Sequence, residues 1–378
     1  PTYTAQSWGY FTWTPSKGYE QQAAAELERC YANAHVLHHA YIPWPKVNKA
    51  TEKLVRPVEV DFAKLDEMLA YLGYPDRKYA FELAEGLNVL GPVARSGVWP
   101  EERVPATASI SEVMKGAWAY GDKLKKDCKV GPHTQEIYDD TIKERDLKFC
   151  EGPYSEDEVS YFLETEEWLC LHRFPVEQKD KIRPIDDGHA NGANSTSSRF
   201  EKLQVSSIDQ IIELVRTWIT KLPNVKLGAW ALDEYKAYRQ IPLKPSQRKY
   251  SVVGVLNPNV DENGISHPKV EFFIMNSHCF GFTNAVYNYN RRPLAVHQIL
   301  TRIFKITTDF YYDDRWSIEP LDTIESGIET TLGVFKMLGI KVQDNKLQGP
   351  GRKWKIKMGI EVGEQDSEDE NEKEDFQL

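Results

Sequence analysis

Cysteine is scarce in this 378-residue chain: Cys30, Cys128, Cys150, Cys170 and Cys279, an odd number in which no two form a CxxC pair. That argues against a disulfide framework or a structural zinc site, and it fits a reducing intracellular compartment, with cytoplasm and nucleus left undivided. Runs of about 18 apolar residues are missing, so no membrane span is expected. No secretory leader is legible either. Positive charge is also in short supply. The net charge is −10, which at first sight argues against a phosphate-binding surface. The deficit is local, however. From Glu364 to Asp375 eight acids face one base, Lys373, so that stretch carries −7 and the rest of the chain −3. A nearly neutral body can still carry a basic groove, and residues 363–378 read as an acidic, disordered tail. The chain begins at Pro1 rather than Met and reads as a piece of something longer.

What is present is ample apolar material, 41% of residues, enough for two or three domains. Residues 1–150 read as a mainly helical region whose role is not legible. Tyr19–Tyr41 is rich in helix formers, and Phe62, Leu65, Met68, Leu69 and Leu72 give a helix over Val60–Leu72 one apolar face. Gly91, Pro92, Gly97 and Pro100 mark a loop. His35, His38 and His39 share one helix face but lack a fourth ligand, and Trp8, Trp13 and Trp44 are read as packing residues. Ser155 with Glu158 forms a capping-box pattern, predicting a helix through Leu169. After about residue 170 short β-like runs alternate with turns. Ser207 and Gln210 can cap a helix to Leu222, with Ile208, Ile211, Ile212, Val215, Trp218, Ile219 and Leu222 on one face. Tyr250–Leu256 and Val270–Met275 read as a hairpin with an enlarged loop. Without βαβ regularity, the predicted class is α+β: a small antiparallel sheet backed by helices.

Two acidic positions sit where a solvated acid should not. Asp233 ends the apolar run Ala229–Leu232, which reads as a buried strand. Asp313 and Asp314 follow a β-like run rich in Ile, Thr, Phe and Tyr, and Trp316–Ile318 can return as a second strand. A strand–turn–strand holding two carboxylates at one rigid edge suits hard divalent cations, which take oxygen ligands and keep positions open for water and phosphate. Two such ions can stabilise the attacking and leaving oxygens of a phosphoryl displacement. Asp is also an ordinary turn residue, so the pair alone decides little.

The order of segments decides more. Over roughly residues 170–362 the sequence resembles the reverse transcriptase family, the RNA-directed DNA polymerases of retroelements. ALDEYKAYRQIPL (231–243) resembles the first palm motif, HCFGFTNAVYNYNRRPL (278–294) the second, and FYYDD (310–314) the Tyr-x-Asp-Asp signature. LGIKVQDNKLQGPGRKWKIKMGIEV (338–362) resembles the closing motifs, and KDKIRPIDD (179–187) the basic fingers hairpin. The resemblance implies a right-hand fold with fingers and palm in residues 151–362. It implies Asp233, Asp313 and Asp314 as ligands of two Mg2+ ions, Mn2+ being an alternative. It implies Lys181 and Arg183 as triphosphate-binding bases, Tyr238 as the aromatic gate that excludes a 2′-hydroxyl, and Phe280 and Gly281 as the turn beneath the nascent base pair. Lys346 matches a lysine assigned as general acid for pyrophosphate. The implied partners are an RNA or DNA template with its primer, deoxynucleoside triphosphates and further domains of a longer polyprotein, with no membrane.

Lys236 and Val286 depart from the family's pattern, at positions where a small or acidic residue and a proline are common. Two other readings stand beside an active polymerase. One is a catalytically retired polymerase domain that binds nucleic acid or protein. The other is an RNA-dependent RNA polymerase, which Tyr238 and the Tyr311-Tyr312-Asp313-Asp314 string disfavour.

Overall fold

The computed structural model describes residues 60–178, 181–259, 264, 267–351, 354–356, 360–364 and 376–377. The helix expected over 19–41, the three histidines, Trp8, Trp13, Trp44 and the acidic stretch 365–375 lie outside the described residues.

Before residue 150 the described chain is helical apart from one short strand. Helix α1 (Phe62–Tyr71) starts where Asp61 accepts the amide of Lys64 at 3.0 Å, and it buries Leu65, Met68 and Leu69 from the predicted face. Helix α2 (Lys78–Glu85), strand β1 (Glu101–Val104) and helices α3 (Ile110–Lys115), α4 (Ala117–Asp127) and α5 (Thr134–Asp146) follow. Beyond them run β2 (Cys150–Tyr154), α6 (Glu156–Leu163), β3 (Cys170–Gln178), β4 (Lys181–Asp186), β5 (Arg199–Glu201), α7 (Ile208–Lys221) and β6 (Leu227–Asp233). Then come β7 (Val252–Asn257), β8 (Lys269–Met275), α8 (Thr283–Arg302), β9 (Thr308–Tyr311), β10 (Asp314–Pro320), α9 (Ile324–Met337) and β11 (Gln348–Gly351). Short strands Trp354–Ile356 and Ile360–Glu364 pair antiparallel beyond it.

The arrangement is mixed α+β, with mainly antiparallel sheets. One sheet has the order β11-β6-β10-β9 and is antiparallel throughout. A second has the order β2-β8-β7-β3-β4, in which β3 and β7 alone run parallel. The β7–β8 and β3–β4 hairpins both stand where the sequence places them.

Strand β6 is buried along its whole length because it is covered on both faces. Ala229 and Ala231 pack with Trp316 and Ile318 against Ile211, Leu214, Val215 and Trp218 of α7. Trp230 and Leu232, on the opposite face, join a core with Leu65, Leu69 and Leu83 of α1 and α2, Val296 and Ile299 of α8, and Phe335 of α9. The residues before 90 thus share one apolar core with those of 230–340. A further core lies between α5 and the five-stranded sheet, with Ile137, Leu171, Val253 and Phe273.

Two helices differ from the pattern read in the sequence. The Ser155–Glu158 capping box forms, but α6 ends at Leu163 rather than Leu169. Glu164 turns left-handed at φ 54, and Trp168 is drawn instead into the core beneath the sheet, against Phe272 at 5.3 Å. In α7 the Ser207–Gln210 box also forms, yet Leu214 is buried and Ile208 and Ile219 are exposed. Only the narrow stripe facing β6 and β10 is covered, so the outer apolar positions stay wet.

Helix α8 is buried along most of its length although much of it is polar. Directional bonds replace grease. Asn284 donates to the Gly91 carbonyl at 3.2 Å and accepts from the Ser197 hydroxyl at 2.7 Å. Asn288 reaches the Asn88 carbonyl and His278 Nε2, both at 2.8 Å. Arg291 forks onto Asp76 at 2.6 and 2.8 Å. Arg292 pairs with Glu234, and Arg315 donates to the Pro293 carbonyl at 2.8 Å. Among the described residues no helix is long and apolar enough to cross a membrane.

Candidate functional site

The edge where β6 ends and β9 turns into β10 gathers the acids singled out above. Asp233 is the last residue of β6 and Asp314 the first of β10, and they are direct partners in the antiparallel register. Opposed residues project to the same face with Cβ atoms about 5 Å apart, so the two carboxylates share one side of the sheet. Asp233 is 4% exposed and Asp314 8%. Asp313 sits with Tyr312 in the two-residue turn between β9 and β10, half-buried, and Tyr312 takes the left-handed φ of 54 that so tight a turn demands. The Glu234 amide donates to the Asp313 carbonyl at 3.0 Å, locking the turn against the end of β6.

Like charges directly opposite one another destabilise a sheet, so this edge calls for a cation. Lys346 supplies one. It lies in the 3-10 turn Asp344–Lys346, and its Nζ stands 2.9 Å from Asp233 Oδ2. Among the described residues, no three histidine, cysteine or carboxylate side chains converge closely enough to hold a metal ion as they stand. In donor chemistry the set still fits a hard divalent ion: all oxygen, anionic, largely shielded from water, and already attracting an ammonium.

Tyr238 lies beside the carboxylates, in the 3-10 turn Ala237–Gln240. Its ring centroid is 4.8 Å from both Phe280 and Tyr289. Burial first, then the neighbouring Tyr312 and Asp313, push its phenol up from the ordinary range. The Tyr289 hydroxyl in turn donates to the Tyr312 carbonyl at 3.4 Å. The Phe280–Gly281 turn opens α8 and packs on the base of the β3–β4 hairpin. Gly281 has φ +98, and a Cβ there would fall 2.0 Å from the Asp186 carbonyl oxygen. Asn194 ties the same turn down, donating to the Gly281 carbonyl at 2.7 Å and accepting from the Thr283 amide at 2.8 Å.

Lys181 and Arg183 lie on the exposed side of β4, two residues apart and therefore on one face. Among the described contacts none joins them to the aspartates. The hairpin's base is coupled to the site instead through a buried cluster of charges. Arg173 forks onto Asp186 at 2.6 and 3.1 Å and reaches Glu144 at 3.0 Å. Arg239, next to Tyr238, donates to Glu144 at 3.0 Å and to Asp186 at 3.1 Å. Lys236, one of the departures from the family pattern, sits at φ 44 with its ammonium 3.3 Å from Glu144. Burial alone would raise the Glu144 carboxyl, but Arg239, Arg173 and Lys236 outweigh it and hold it well below the usual carboxylate range.

Sequence reasoning missed Glu144 and Glu234 as parts of this site. Gln240 was expected, with Ile241 and Pro242, only to shape the palm. It is fully buried, and its amide donates to the Tyr235 and Lys341 carbonyls at 2.6 and 2.9 Å while accepting from the Lys341 amide at 3.0 Å.

No family model matches the sequence, and no curated protein matches it. Among solved structures, that of a foamy viral protease-reverse transcriptase in complex with double-stranded DNA is a weak structural neighbour. It has a TM-score of 0.41 and 10% sequence identity, over 81% of this chain and 47% of that chain, so this chain spans about half of its length.

Proposed function

We propose that residues 151–362 are the fingers and palm of a reverse transcriptase, copying a primed RNA or DNA template into DNA by two-metal nucleotidyl transfer. The observation that carries the reading is the register that sets Asp233 opposite Asp314, with Asp313 on the adjoining turn. It brings carboxylates 80 residues apart in sequence to one sheet edge, as phosphoryl transfer needs. The order of the motifs in the sequence supports the same reading.

In this mechanism Asp233, Asp313 and Asp314 would hold magnesium, or manganese in its place. When bound, such ions supply Lewis-acid activation of the primer 3′-hydroxyl and steady the departing pyrophosphate. The chain's own groups do the rest. Tyr238, fixed between Phe280 and Tyr289, blocks the space a ribose 2′-hydroxyl would need. Gly281 lets the backbone lie close beneath the nascent pair. Arg183 offers a planar fork to triphosphate oxygens and Lys181 a mobile point charge, on a hairpin whose base is fixed by Asp186. Lys346 would give a proton to the leaving pyrophosphate.

A polymerase fold that binds without catalysis is the second reading, favoured by the Lys346 ammonium on Asp233. Primer extension on an RNA template with deoxynucleotides and magnesium separates the two, with Asp313→Asn as control. Extension by the parent and none by the variant is the expected result. Extension by neither favours the second reading, and equal extension by both removes the carboxylates from the chemistry.

A further inference from the structure

Lys346 is not a long side chain that happens to fall on an acid. The segment before it is pinned to the end of β6 by a short run of backbone bonds. The Gln343 amide donates to the Asp233 carbonyl at 2.8 Å, and the Tyr235 amide to the Lys341 carbonyl at 3.0 Å. Glu234 and Val342 form an isolated antiparallel bridge between those bonds. The chain then turns through Asp344–Lys346, and that turn brings Nζ to Asp233 Oδ2.

Gln240 braces the same segment with side-chain bonds. It donates to the Tyr235 carbonyl on one side and uses both amide functions on the Lys341 peptide on the other. Neither glutamate, which cannot donate, nor leucine, which can do neither, could fill that role. A buried amide with donors and acceptor all engaged fixes geometry tightly, because any shift leaves a polar group unsatisfied.

We infer that Gln240 is a positioning residue that delivers Lys346 to Asp233, and that Lys346 is a resident counter-cation which a divalent ion must displace to use that carboxylate. The inference rests on the proposed metal site. Two charges of the same sign compete for one carboxylate, and the ammonium is built in at fixed high local concentration. Magnesium affinity is therefore weaker than the carboxylates alone would give, and binding the ion releases Lys346 from Asp233.

The test is calorimetric titration of the whole chain with magnesium chloride alone, with Asp233→Asn as the blank. Replacing Lys346 by Met removes a competitor in a partly exposed pair, and a pair of that kind corresponds to a gain of about five-fold in affinity. Gln240→Leu is expected to tighten binding in the same direction, and the double variant to match Lys346→Met alone. That non-additivity separates positioning from mere support of the fold, which would weaken binding or leave it unchanged. Should Gln240→Leu fail to fold, Gln240→Met repeats the test with a flexible, neutral side chain of similar volume. Unchanged or weaker binding in Lys346→Met overturns the inference, as does absence of Asp233-dependent binding in both that variant and the parent. Asp233-dependent binding that Lys346→Met tightens, in a chain that extends no primer, sinks the polymerase reading and leaves this inference standing.

Discussion

Replacing Glu144 by Gln tests whether the buried charge cluster holds the hairpin base and the Tyr238 turn in place. The carboxylate is 4% exposed and takes bonds from Arg173 and Arg239, both at 3.0 Å, and from Lys236 at 3.3 Å. Asp186 is the other acid of the cluster, engaging both arginines. Glutamine keeps the volume, so no cavity opens, but two buried guanidinium groups are left sharing one carboxylate. Breaking a buried pair by removing one partner costs about 3–5 kcal/mol, and a value near the lower end, about 3 kcal/mol, is expected because Gln retains one acceptor oxygen. Urea unfolding at neutral pH, followed by tryptophan fluorescence, should show a lower midpoint with an unchanged slope. The pH dependence carries a second check. Since the folded carboxyl is held below its unfolded range, its contribution is present above about pH 4.5 and is lost as pH falls through the depressed value. The gap between parent and variant must therefore narrow in acid. A loss under about 1 kcal/mol, or a gap that ignores pH, would refute the reasoning.

Glu319 behaves in the opposite sense. Burial beneath α9 pushes its carboxyl up to about 7, against the opposing bonds from Ser317 and Trp230. Its stabilisation of the folded state is thus full below about pH 4.5 and lost as pH rises through about 7. Between those limits the parent should lose about 3 kcal/mol relative to Glu319→Gln, and paired thermal melts at pH 4.5 and 7.5 that stay parallel would count against it. Gly281→Ala meets the Asp186 carbonyl, a backbone atom that cannot swing away. A loss of about 2–4 kcal/mol is expected from strain and displacement of the hairpin base, and a melt within about 1 kcal/mol of the parent would show that the close approach is not required.

Much of this was readable along the chain where a single period decides. The buried strand ending at Asp233, the hairpin turning at Asp313 and the amphipathic α7 each follow from local alternation or a cap. The helix boundary at Leu163 was not readable, because Trp168 prefers the core beneath the sheet, and that choice depends on a neighbour, Phe272, more than 100 residues away. The cluster of Glu144, Arg173, Asp186 and Arg239 was hidden for the same reason. Each charge looks solvated in its own segment, and only the fold brings the four together. Lys346 was legible as a basic residue after a strand, whereas its hold on Asp233 depends on the buried amide of Gln240, which no pattern of hydropathy marks.

Helix α8 has a consequence for how this part of the chain can vary. An apolar helix can turn slightly in its seat and refill the space with different hydrocarbon. One keyed by Asn284, Asn288, Arg291 and Arg292 into fixed carbonyls and carboxylates has a single workable height and rotation. Inserting one residue between Asn284 and Arg292 would turn everything downstream by about 100° and misalign the later keys together. Here the polar residues act as teeth and the hydrocarbon as filling, so drift in sequence should spare the spacing long after it has stopped sparing the volumes.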